Sequence, residues 1–158
     1  FKLCKRSEKW MQSMETYEAG AHAYHATMPT DALRHFRDAL VEAEAFGLAA
    51  LKEAQIRLGR EVRELMHSYQ YKSVAAAGFE APSVVVCFAP NADIKTGKAF
   101  AAQGLQIAAG VPLECGERED YASFRIGLFG MDKLTDIDRT VTNLETALEG
   151  IRGQNTPA

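Results

Sequence analysis

The chain has 158 residues, a formal net charge of −3, 47% hydrophobic residues and 25% charged residues, a composition that suits a globular domain with a core of its own. With no excess of Lys and Arg it is not expected to bind nucleic acid through phosphates, and uncharged runs such as Ala81–Ala92 fall short of the roughly 20 residues a helix needs to cross a bilayer. Cys4, Cys87 and Cys115 are too widely spaced for a CxxC zinc site and odd in number for a disulfide framework, so a reducing cytoplasm is the expected location.

The charged opening FKLCKRSEKW is followed by no apolar segment, so no signal peptide is expected; a start at Phe1 rather than Met leads us to expect a fragment or processed product. Residues 1–23 show no sustained periodicity, and EAGAHAY (18–24) reads as a loop. Pro29-Thr30-Asp31 resembles a helix start, with Thr30 or Asp31 as the cap, and Leu33, Phe36, Leu40 and Ala43 follow at helical spacing as far as Gly47. Leu48, Leu51, Leu58, Val62 and Leu65 extend a packing stripe on a second or continuing helix.

Beyond Gly78 the pattern changes to strands. SVVVCFAP (83–90) is apolar on both faces and predicts a strand covered on both sides or nearly so. NADIKTGKAFAAQG (91–104) predicts a short helix, and LQIAAGVP (105–112) a further strand. After the polar loop LECGEREDYA comes SFRIGLFG (123–130), in which Phe124, Ile126 and Leu128 share one face, and Ser123, Arg125, Gly127 and Phe129 the other. Thr135 with Asp138 three residues on predicts a capping box, and Ile137, Val141, Leu144, Leu148 and Ile151 form the core face of a last helix. The expected fold is α+β: a small, mainly antiparallel sheet with packed helices, preceded by long helices. The expected divisions are 1–29, an edge and interface segment; 30–153, a small domain with its connecting helices; and 154–158, a tail within GQNTPA.

Arg125 is the sharpest candidate for function. Two readings stay open for it: a stem lying over apolar surface with its head in water or paired with an acid, or a planar fork that grips a carboxylate in the room left by Gly127. Tyr24, His25 and Thr27 gather a phenol, an imidazole and a hydroxyl just before a helix start, where donors can collect around an anion. His22 and His25 have no acidic or Cys partner nearby, so no metal site is expected. Cys115 has nothing obvious beside it to lower its pKa, and DIKTGKAF around Lys95 and Lys98 lacks the spacing of a phosphate loop.

Taken together, AYHATMPTDALRHFRDAL, PSVVVCFAP and FRIGLFGMDKLTDIDRTVTNLETAL resemble the C-terminal, small-domain part of class V, fold-type I, pyridoxal-phosphate-dependent aminotransferases. Alanine–glyoxylate and serine–glyoxylate or serine–pyruvate aminotransferases typify that family. The resemblance spans nearly all of 20–152, with Y-H-x-T-x-P and F-R-I-G-L-x-G its most specific stretches. It implies that Arg125 binds the substrate α-carboxylate, and that Tyr24 and Thr27 reach the cofactor phosphate of the other subunit of a homodimer. It also implies that the Schiff-base lysine, the aspartate facing the pyridine nitrogen and the aromatic stacked on the ring precede Phe1. Lys2, Lys5 and Lys9 are not in a Ser-x-x-Lys setting and lie too close to Tyr24. The expectation is therefore part of a transaminase acting on alanine or serine and a 2-oxo acid such as glyoxylate or pyruvate, inactive by itself. Two alternatives remain: a cysteine desulfurase-like enzyme using Cys115, although LECGE lacks the small-residue loop of those enzymes, and a non-catalytic α+β binding module.

Overall fold

A computed structural model describes residues 5–154; Lys2, Cys4 and the end of the expected tail lie outside them. The chain divides into two compact units, Phe1–Glu42 and Ala43–Ala158. The division falls inside a helix rather than at Pro29–Thr30, where the sequence changes character.

In the first unit, residues with little sustained periodicity form a helix, α1 (Lys5–Glu18). Lys, Glu, Gln and Met favour helix without needing a core, and Trp10, Met14 and Tyr17 do fall at helical spacing while staying about half exposed. A turn at Gly20, where φ is +78°, ends it. The next helix, α2 (Thr30–Phe46), begins with the Pro29 carbonyl accepting from the Leu33 N–H, so Pro29 holds the capping position and Thr30 is already helical. The anticipated cap is thus one residue earlier. The stripe of Leu33, Phe36 and Leu40 is present, and it is exposed.

In the second unit, Gly47 breaks the helical run at φ +97° and α3 (Leu48–Ser68) follows. Leu58, Val62 and Met66 are its buried face. Gly59 lets α3 approach the chain at Pro82: a Cβ there would lie 2.5 Å from the Pro82 carbonyl oxygen. Gln55 donates to the Pro82 and Leu128 carbonyls, and Arg63 to those of Gly59, Ala81 and Val84. These bonds fasten the helix to the sheet.

The sheet has the order β1-β3-β2 and is antiparallel throughout, with β1 (Val84–Phe88), β2 (Ala108–Ala109) and β3 (Ser123–Gly127). The expected α+β architecture is observed. Two short helices, α4 (Ala92–Lys95) and α5 (Lys98–Ala101), replace the single one anticipated, because Gly97 turns the chain at φ +79° between them. Asn91 caps α4 through the Ile94 N–H. The strand expected over 105–112 shrinks to two residues.

β1 departs from the double coverage expected of it. Val85 and Cys87 are buried, but on the opposite face Val84 and Val86 are only half-buried and Phe88 is exposed. The core lies on one side, where Phe124 meets Tyr71 edge-on and Phe100 obliquely, with ring centroids 5.4 and 5.6 Å away. After α6 (Met131–Leu134), α7 (Ile137–Gln154) buries Ile137, Leu144, Leu148 and Ile151 against that core. Its cap is Asp136, whose carboxylate accepts from the Arg139 N–H; the Thr135 hydroxyl instead donates back to the Met131 carbonyl. No helix among the described residues is long and apolar enough to cross a membrane.

Candidate functional site

β3 has the expected alternation. Phe124, Ile126 and Leu128 are buried, while Arg125 stands half-buried on the other face beside Val86 of β1 and Ala108 of β2. Its Nε–H donates to the Ala109 carbonyl at 3.0 Å. No carboxylate pairs with Arg125 among the described residues, and neither terminal nitrogen of its guanidinium has a partner there. Of the two readings left open by the sequence, the ion-paired form of the first is therefore not observed.

A Cβ at Gly127 would lie 3.3 Å from the Phe129 ring, so the space beside Gly127 is where that exposed ring sits. Beyond the chain neighbours, no other heavy atom of the described residues lies within 4 Å of that position.

Ser123, two residues before Arg125 on the same face, is 2% exposed and its hydroxyl has no partner; the Tyr121 hydroxyl is likewise buried and unpaired. Both residues line a cleft of about 450 Å³ that also borders Lys95, Gly110 and Glu117. In the preceding loop the Glu117 carboxylate accepts N–H bonds from Leu113, Glu114 and Cys115 at 2.5, 2.9 and 2.9 Å. These bonds, the one from Cys115 foremost, bring its pKa down to about 2. Cys115 is exposed and Cys87 buried, and burial raises the Cys87 thiol to about 11.

In the first unit, the Tyr24 and Thr27 hydroxyls are 2.9 Å apart and exposed. Whichever donates, the other keeps its proton free, so the pair can donate to an added oxyanion. His25 is held edge-on to Trp10, with ring centroids 4.9 Å apart, and His22 lies against Tyr17 at 5.8 Å. No group of three His, Cys, Asp or Glu among the described residues is placed to hold a metal ion. Lys98 pairs with Asp93 at 3.8 Å. Lys9 lies on α1 and is exposed.

The sequence did not single out Arg63, Gln55 or the Glu117 loop. Arg63 and Gln55 answer to backbone carbonyls far along the chain, which leave no residue pattern; the only local signal was the run of acids in LECGERED. No protein-family model matches the chain, and a comparison with curated proteins finds no significant relative.

Proposed function

We propose that this chain forms the carboxylate-binding part of a pyridoxal-phosphate-dependent aminotransferase of the class V type. The reaction would move an amino group between a small amino acid, alanine or serine, and a 2-oxo acid such as glyoxylate or pyruvate. The observation that carries this reading is Arg125: a half-buried residue whose guanidinium is free of any acid among the described residues, with both terminal nitrogens unengaged. A substrate carboxylate needs such a cation, and a planar fork binds it in a fixed orientation.

The paired hydroxyls of Tyr24 and Thr27 fit a phosphate, because both are exposed and together leave a donor for an oxyanion. They would hold the cofactor phosphate of the partner subunit in a homodimer. When bound, the cofactor supplies the electron sink that loosens the bonds at the amino-acid α-carbon. Arg125 fixes the carboxylate end of the substrate, and Tyr24 and Thr27 keep the phosphate end of the cofactor in place. The free thiols Cys87 and Cys115 suit a reducing cytoplasm.

The test is to express the complete coding sequence that contains these residues and assay alanine–glyoxylate and serine–pyruvate transamination, alongside the 158-residue chain alone. Activity is expected only in the former. Arg125→Ala should lower kcat/KM for amino acids at least about tenfold, since a hydrogen bond to a charged group is worth about 1.5–3 kcal/mol, and Arg125→Lys should recover little of it. An Ala variant with near-normal turnover, or a complete protein without transaminase activity, would sink the proposal.

A further inference from the structure

β2 is the edge strand of the sheet. Gly110 follows it and donates its N–H to the Ser123 carbonyl at 2.8 Å. In an antiparallel ladder bonded and non-bonded pairs alternate, so the preceding pair, Ala109 with Phe124, is non-bonded and the Ala109 carbonyl faces away from β3. Arg125 must therefore reach across β2 to bond that carbonyl at the open edge.

Gly110 sets how close β2 lies to β3. A Cβ at 110 would be 1.8 Å from Ser123 Oγ and 2.6 Å from the Ser123 carbonyl oxygen. Gly110 is absent from the positions with positive φ, so the glycine answers to close approach and not to a turn. Any other residue would push β2 outward and carry the Ala109 oxygen with it.

We infer that the Ala109 carbonyl, held in place by Gly110, is the positioning group of Arg125: it consumes Nε and leaves the two terminal nitrogens to grip a planar carboxylate end-on. This rests on the carboxylate-binding reading of Arg125. A side-on clamp would need Nε together with one terminal nitrogen, and Nε is spent. The ligand carboxylate therefore lies on the extension of the guanidinium, away from Nε.

NMR on the isotopically labelled 158-residue chain tests the anchor directly. A scalar coupling across the hydrogen bond, from Arg125 Nε to the Ala109 carbonyl carbon, is expected in the unsubstituted protein; its absence from a well-resolved Nε signal overturns the inference. In Gly110→Ala the Nε–H signal should move to the position of a free arginine, and in the complete protein the same substitution should weaken pyruvate binding about fivefold, the worth of one hydrogen bond. Ile126 and Leu128 methyl signals report whether the fold is kept in that variant; where it is lost, the coupling in the unsubstituted chain decides alone. A folded Gly110→Ala that keeps the Nε signal and the affinity refutes the positioning role. An intact coupling together with a complete, cofactor-loaded protein that does not bind pyruvate up to high millimolar concentration leaves the anchor standing and removes the carboxylate reading.

Discussion

Replacing Arg125 by Met separates a guanidinium kept for a ligand from one kept for the fold. Methionine retains an apolar stem of similar reach over Val86 and Ala108. What is lost is one hydrogen bond, Nε to the Ala109 carbonyl at 3.0 Å, from a side chain that is only half-buried. A bond from a charged donor reaches about 1.5–3 kcal/mol when desolvated, but in a bond open to water such as this one it falls to about 0.5–1.5 kcal/mol net. The neighbouring residue gives the scale for a structural role: Phe124 is fully buried between the rings of Tyr71 and Phe100, and its change to Ala should cost about 3–5 kcal/mol. At about 4 °C per kcal/mol, Tm should fall by about 2–6 °C in Arg125→Met and by about 12–20 °C in Phe124→Ala. Urea unfolding of the 158-residue chain, fitted with a common m-value, gives both costs on one scale. A cost for Arg125→Met as large as that for Phe124→Ala would refute the argument, because the guanidinium would then be a structural member of the sheet.

The two described thiols should differ sharply in reactivity. At pH 8 iodoacetamide should modify Cys115, which is exposed, while Cys87, buried and raised to about 11, reacts only on unfolding; peptide mass spectrometry at timed intervals checks this, and similar rates at the two sites would contradict it. The Glu117 carboxylate is depressed to about 2 by the backbone N–H groups it accepts from, so its hold on the loop is fully present above about pH 4.5 and is lost as pH falls towards 2. The Leu113, Glu114 and Cys115 amide shifts should therefore stay constant between about pH 6 and 4; a joint titration centred near 4.5, the ordinary carboxylate value, would show that the loop is held by something else.

Elements whose signals are short-range were legible in the residues. β3 could be read because buried Phe124, Ile126 and Leu128 alternate with the half-buried Arg125 and exposed Gly127, and α7 because five apolar residues repeat at helical spacing. Errors arose where two local patterns compete or where the partner is distant. Thr135 and Asp136 both suit a helix start, and the choice went to Asp136 because α6 ends at Leu134 and the Thr135 hydroxyl closes that helix through the Met131 carbonyl. The strand expected over 105–112 stops at Ala109 in the ladder, and Pro112 brings no N–H with which to extend it.

The same distinction governs the candidate site. That β3 carries a guanidinium between two core residues is written in the residue types, and so is the presence of a glycine two positions on. Which way the guanidinium points is not, because its partner is the Ala109 backbone carbonyl, a group every residue owns. The glycine that matters for that direction is Gly110 rather than Gly127: in the sequence it is one small residue in AAGVP, and only the register with Ser123 shows that no Cβ fits there. A residue's chemistry is local and can be read from a strand pattern, whereas its orientation depends on strand pairing, which the pattern leaves undetermined. The consequence for Arg125 is concrete. Its charge would survive a slip in the pairing of β2, but its end-on fork would not, since a shift of one residue replaces the outward Ala109 carbonyl by one engaged with β3.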